Sequence, residues 1–149
     1  MMLINQKGFT LIELMMVILI ISILSVIGLG QYQNLIARSQ FSESLAIFSG
    51  AKTPVQERID QGVAFEESTG APGTSTNVLG INLQGNFGTL TAPAFDNSED
   101  EYTLTFTFDG NVNTNLRDKT INVIYDRTTG QWDCITEVAE RFTVSCTSL

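Results

Sequence analysis

Between Phe9 and Leu29 the chain is apolar almost without a break, interrupted only singly by Thr10, Glu13, Ser22, Ser25 and Gly28. Glu13 is the one charge in that run, and the next along the chain is Arg38. A helix that packs on a protein core shows a polar face at a 3.6-residue period, and Leu14 to Ile21 has none. About 20 residues at 1.5 Å each cross the hydrocarbon of a bilayer, so residues 9–30 are predicted to form a membrane-spanning helix. Two other readings compete. A cleaved secretory signal would exit at Gly28-Leu29-Gly30, but a carboxylate at the onset of its apolar core is out of place. A buried core helix would need the missing polar face. Lys7 precedes the run and nothing basic follows until Arg38, so the positive-inside rule keeps the first residues in the cytoplasm and exports the remainder. Ser22, Ser25, Gly28 and Gly30 mark either close helix packing or a soft place in the helix. Each glycine there costs about 1 kcal/mol of helix propensity relative to alanine.

After Gly30 the pattern turns amphipathic. Tyr32, Leu35 and Ile36 open an apolar stripe, and Phe41, Leu45, Phe48, Val55 and Ile59 carry it on at helical spacing. Gln33, Arg38, Gln40, Glu43, Glu57 and Arg58 occupy the other positions. Thr53-Pro54-Val55-Gln56 reads as an N-cap, a proline at the first helical position and a capping-box glutamine. A kink or restart is therefore predicted there, just after Gly50, with Gly62 as the stop. Helical throughout, Phe9 to Gln61 would measure roughly 80 Å. No compact domain of this size buries such a rod, so half of it must find another apolar setting.

Residues 62–101 are polar and punctuated by six glycines and the prolines at 72 and 93. Val78 to Leu83 and Phe87 to Leu90 are short apolar pieces, each suited to a short strand or a turn of helix. So long a connection is usually functional or disordered. Beyond it Tyr102, Leu104, Phe106 and Phe108 alternate with Thr103, Thr105 and Thr107, the pattern of a strand with one apolar face. Asp109-Gly110 turns the chain, and Val112 to Leu116 is a further short candidate strand. Ile121 to Asp126, a turn at Thr129-Gly130 and Gln131 to Thr136 form an expected hairpin. The predicted fold is α+β: a long N-terminal helix packed on an antiparallel sheet of about four strands, because a one-sided sheet needs a cover and the helix stripe supplies it.

Composition narrows the function classes. The chain has 149 residues, a net charge of −8 and no histidine. The acidic balance argues against nucleic-acid binding by phosphate neutralisation. Lack of histidine removes the commonest general base and metal ligand, and with it any Ser-His-Asp or Cys-His arrangement. No phosphate loop, dinucleotide fingerprint or zinc spacing occurs. No enzyme activity and no cofactor are predicted. Asp96, Glu99, Asp100 and Glu101 form an acidic cluster that reads as a solvated turn, with a hard-cation site as the alternative.

Lys7-Gly8-Phe9-Thr10-Leu11-Ile12-Glu13-Leu14 resembles the processing site of type IV prepilins and the related pseudopilins. The resemblance implies a leader over residues 1–8, cut by a prepilin peptidase between Gly8 and Phe9, with N-methylation of Phe9. It implies that Glu13 faces the new amine of a neighbouring subunit during assembly. The domain plan is then the leader, an apolar transmembrane and assembly helix over 9–30, and a globular head over 31–149. The head comprises an amphipathic helix 31–61, a variable connection 62–101, and a sheet and disulfide region 102–149. Many type IV pilins carry a helix-breaking proline where this chain has Gly30.

Trp132-Asp133-Cys134, followed by Phe142 and Cys146, resembles the disulfide-bonded C-terminal region of these pilins. Export also favours an oxidised pair for two cysteines so placed. The implied function is a structural subunit that polymerises with copies of itself into a pilus for adhesion, twitching motility and biofilm formation. Its implied partners are the prepilin peptidase, the inner-membrane assembly machinery and the membrane itself before assembly. It would start as an inner-membrane precursor and end in an extracellular fimbrium. A minor pilin or a type II secretion pseudopilin is the alternative within the resemblance, and a membrane-anchored periplasmic binding domain the alternative outside it.

Overall fold

A computed structural model describes residues 8–71 and 73–149. It divides into two units, one extending to Asn34 and the other Leu35–Leu149. The elements are helix α1 (Leu11–Asp60), strands β1 (Gly88–Thr91), β2 (Glu101–Phe108), β3 (Thr120–Asp126) and β4 (Gln131–Thr136), a 3-10 turn (Glu140–Phe142) and a short β5 (Thr147–Ser148).

In the unit up to Asn34 no described residue is buried. Every large apolar side chain from Phe9 to Leu29 is at least 48 % exposed. α1 is long and apolar enough here to cross a membrane. Two local devices suit it to lipid. The Ser22 hydroxyl donates to the Ile18 carbonyl at 2.7 Å and the Ser25 hydroxyl to Ile21 at 2.8 Å. Both polar groups are thereby satisfied within the helix, as a hydrocarbon environment demands. The helix also runs unbroken through Gly28 and Gly30.

The second unit is an α+β sandwich of one helix face on one sheet. The five strands follow chain order, antiparallel except for β5, which pairs parallel with β4. The alternation in β2 places Tyr102, Leu104, Phe106 and Phe108 on the buried face; the register sets the first three opposite Tyr125, Val123 and Ile121 of β3, and Phe108 opposite Gly88 of β1. Phe41 stacks on Phe108 at 6.3 Å between centroids, and Phe48 meets Phe106 at 6.2 Å. These aromatic contacts join helix and sheet through large apolar rings on both.

Four expectations need correction. α1 continues through Pro54 without interruption, so Thr53 is no N-cap and no restart occurs. An interior proline costs about 3 kcal/mol. Phe48, Ala51, Val55 and Ile59 are all buried on both sides of it, and each large side chain buried returns roughly 1.5–3 kcal/mol, so tertiary burial outweighs propensity. Tyr32 and Leu35 are not part of the core stripe but are 59 % and 65 % exposed. The buried helix face is instead Ala37, Gln40, Phe41, Ser44, Phe48, Ala51, Val55 and Ile59.

Val112 to Leu116 is a turn, not a strand, because its backbone bonds close locally: Leu116 and Arg117 both donate to the Asn113 carbonyl. Val112 and Leu116 still bury their side chains. Finally, Val78 to Leu83 is irregular and neither strand nor helix. Its Ile81 is held by the buried Asn77 side chain, which accepts the Ile81 N–H at 3.2 Å and donates to the Ile81 carbonyl at 2.7 Å.

The connection between helix and sheet is a packed layer. Phe65 pairs with Phe95 and Ser68 with Ala92 across isolated antiparallel bridges. Phe65, Phe95 and Tyr102 form an aromatic trio with centroids 5.5–5.9 Å apart. Gly88 opens β1 because nothing larger fits: a Cβ there would collide with the Thr107 carbonyl oxygen and lie 2.6 Å from the Phe106 ring.

Candidate assembly site at the start of the helix

Thr10 is the residue immediately before α1, and Glu13 lies in its first turn. The Glu13 N–H donates to the Thr10 hydroxyl oxygen at 3.3 Å. In return Glu13 Oε2 accepts the Thr10 N–H at 2.9 Å and the Thr10 hydroxyl at 2.7 Å. Thr10-Leu11-Ile12-Glu13 is therefore a complete capping box, in which N-cap and N3 side chains satisfy each other's orphan backbone donors. The carboxylate is also well placed for the positive end of the helix dipole. Phe9 is 86 % exposed and Gly8 is exposed, so the bond between them is open to approach. The expected leader residues before Gly8 lie outside the described residues.

The second expected feature is at the other end of the chain. Cys134 and Cys146 are joined in a disulfide with Cα atoms 4.8 Å apart. It ties β4 to the segment just before β5, closing a loop whose Phe142 is fully buried. Two polar contacts from the helix, one to this loop and one to the turn at Asn113, were not legible in the sequence. Arg38 Nε donates to the Arg141 carbonyl at 2.7 Å, so a residue read as lying off the apolar stripe clamps the loop to the helix. Gln40, similarly assigned, is buried, and its Oε1 accepts the Asn113 N–H at 2.8 Å. A polar residue on the boundary of an apolar stripe was the available signal.

The acidic cluster is arranged as a turn. Asp96 accepts the Ser98 N–H at 2.9 Å and the Ser98 hydroxyl, and these bonds hold its carboxyl below the usual range. Glu99, Asp100 and Glu101 are exposed. Among the described residues no group of three or more acidic or cysteine side chains is placed to hold a metal. Nearby, Tyr102 donates to the Pro93 carbonyl at 2.7 Å, and burial pushes its phenol well above the ordinary value. At the far end of the helix Tyr125 donates to Asp60 at 2.6 Å; burial first, and the Asp60 carboxylate second, push it up to about 12.

An apolar helix start with a capping-box glutamate, followed later in the chain by a disulfide-closed sheet, defines a class. Residues 3–29 match the prokaryotic N-terminal methylation motif, and residues 37–147 match the pilin family, described as a bacterial filament. The chain belongs to the type IV pilin family.

It is 34 % identical over 148 residues to a type IV major fimbrial protein FimA of Dichelobacter nodosus, covering 92 % of this chain and 91 % of that one. It is 44 % identical over 87 residues to a fimbrial protein of Moraxella nonliquefaciens, a match over 58 % of this chain that spans 53 % of the relative. The type IV major pilin protein PilE of Neisseria gonorrhoeae is 41 % identical over 75 residues, 50 % of this chain and 45 % of that protein. A crystal structure of a Cs1 pilin chimera superposes with a TM-score of 0.62 at 26 % identity, covering 76 % of this chain and 98 % of the chimera.

Proposed function

We propose that this chain is a structural subunit that polymerises with copies of itself into a type IV pilus. The observation that carries the reading is the stretch from Phe9 to Leu29: it is apolar, at least half exposed at nearly every large side chain, and bears one carboxylate at its start. Such a surface is stable only in lipid or against other apolar helices. Cleavage between Gly8 and Phe9, followed by methylation of Phe9, would create a cation beside that apolar helix. A neighbouring Glu13 then offers it a carboxylate, and each charge offsets the other's desolvation. A subunit out of register would leave both charges unpaired, so the pair sets register.

In this reading the partners are the prepilin peptidase, the inner-membrane assembly machinery and other copies of the chain. The precursor resides in the inner membrane and the product outside the cell. Adhesion, twitching motility and biofilm formation are the filament activities that go with the reading. Mass spectrometry of the exported protein is expected to give an N-terminus at Phe9 with one extra methyl; an intact Met1 would rule out processing. Glu13→Ala is expected to be processed normally and to yield no filaments made of that variant alone. Normal filaments from it, seen by electron microscopy of sheared surface material, would remove the pairing role.

A further inference from the structure

We infer that Thr10 is a positioning residue for assembly: it grips one oxygen of the Glu13 carboxylate and leaves the other presented to a neighbouring subunit's amine. The inference rests on the pairing role proposed above for Glu13 and adds a residue to it. Both Thr10 donors converge on the same oxygen, Oε2, at 2.9 Å from the backbone N–H and 2.7 Å from the hydroxyl. Oε1 has no hydrogen-bond partner among the described residues. A free glutamate side chain samples many rotamers, and ordering it on assembly would cost entropy. Here the ordering is already done within the subunit, so the carboxylate meets its partner pre-organised.

The grip also survives processing. The Thr10 N–H belongs to the Phe9–Thr10 peptide bond, which a cut between Gly8 and Phe9 leaves intact. A single subunit waiting in the membrane therefore holds its carboxylate with two donors of its own, which lessens the penalty of a charge beside lipid. The neighbour's amine then adds a bond at Oε1 without displacing those at Oε2. Hydroxyl and spacing both matter. Valine has threonine's shape but can neither donate to Oε2 nor accept the Glu13 N–H, whereas serine can do both.

The test uses the full chain with Thr10→Val, Thr10→Ser and Glu13→Ala, each expressed as the sole pilin in a strain with its own pilin deleted. Four quantities are read: the mass of the processed N-terminus, the amount of membrane-held subunit, oxidation of the Cys134–Cys146 pair as a report on head folding, and sheared filament yield. Thr10→Val is expected to be processed, oxidised and membrane-held like wild type, with filament yield at least tenfold lower. Thr10→Ser is expected to restore that yield.

A spectroscopic readout separates gripping the carboxylate from capping the helix. The Thr10 amide precedes the helix and bonds to Glu13 alone, so in the full chain in detergent micelles its hydrogen exchange should be at least tenfold slower than in Glu13→Ala. Wild-type filament yield from Thr10→Val, or equal exchange at Thr10 in the two proteins, overturns the positioning role while leaving Glu13 pairing intact. Normal filaments from Glu13→Ala would instead remove the pairing itself. Loss of yield in Thr10→Ser as severe as in Thr10→Val would also overturn the inference, because the hydroxyl would then not be what matters.

Discussion

Single side chains in the head set how its stability responds to pH. Tyr125 donates to Asp60, and its phenol lies at about 12 against an ordinary value of 10.0. Unfolded tyrosine ionises first as pH rises, so the native state holds the extra proton between those values. Stability from this contact is complete below about pH 10 and is lost as pH rises toward 12. Asp126 works in the opposite sense. Its carboxylate accepts the Thr128 hydroxyl at 2.6 Å and N–H at 2.7 Å, which hold it below the usual range. Its contribution is present above the ordinary carboxylate value and declines as pH falls through the lowered one. Urea unfolding of the full chain in detergent across pH should therefore flatten at the alkaline end in Tyr125→Phe and at the acid end in Asp126→Asn. Unchanged limbs in both variants would remove these contacts as the cause.

At the scale of elements, α1 shows how tertiary packing overrides a local stop signal. Pro54 has no N–H to offer the carbonyl four residues back, and its ring crowds that carbonyl. The helix continues because Ala51, Val55 and Ile59 bury against the sheet around it. The proline is thus a tolerated cost rather than a boundary. Pro54→Ala should stabilise the head by about 1–3 kcal/mol, reflecting restored helix propensity and hydrogen bonding. A thermal midpoint that falls instead would mean that the proline ring supplies packing the helix needs. The strands were easier to read, because period-2 alternation in β2 and β3 is dictated by the pleat and the burial of one face. Val112 to Leu116 misled because its two apolar ends serve a buried turn, whose Asn113 closes hydrogen bonds locally.

On the scale of the whole molecule, the two units meet opposite demands. Residues 35–149 bury their own core and close it with a cross-link, whereas no described residue of the unit before them is buried. The Cys134–Cys146 bridge joins residues 12 apart in sequence. A loop of that size is worth about 3 kcal/mol on the chain-entropy account. Cys134→Ser combined with Cys146→Ser should lower unfolding free energy by that amount. Hydrogen exchange should rise first at β5, whose two residues depend on pairing with β4. Exchange rising first in β2 or β3 would contradict that order.

The amino-acid sequence alone determined the apolar run, its lone carboxylate and the two-faced strands, because each is a matter of period and composition that local chemistry enforces. The box Thr10-x-x-Glu13 was equally legible in principle, since its partners lie three residues apart. Only the tertiary structure decided which small and polar helix residues are core. Ala37, Ser44, Ala51 and Gln40 are buried in the head, Gln40 with its amide oxygen on the Asn113 N–H, while the larger Tyr32 and Leu35 remain exposed. It alone decided that Pro54 is interior, that Arg38 holds the Arg141 carbonyl 103 residues away, and that the long connection packs. These outcomes depend on contacts between distant segments, whose energies no local pattern contains.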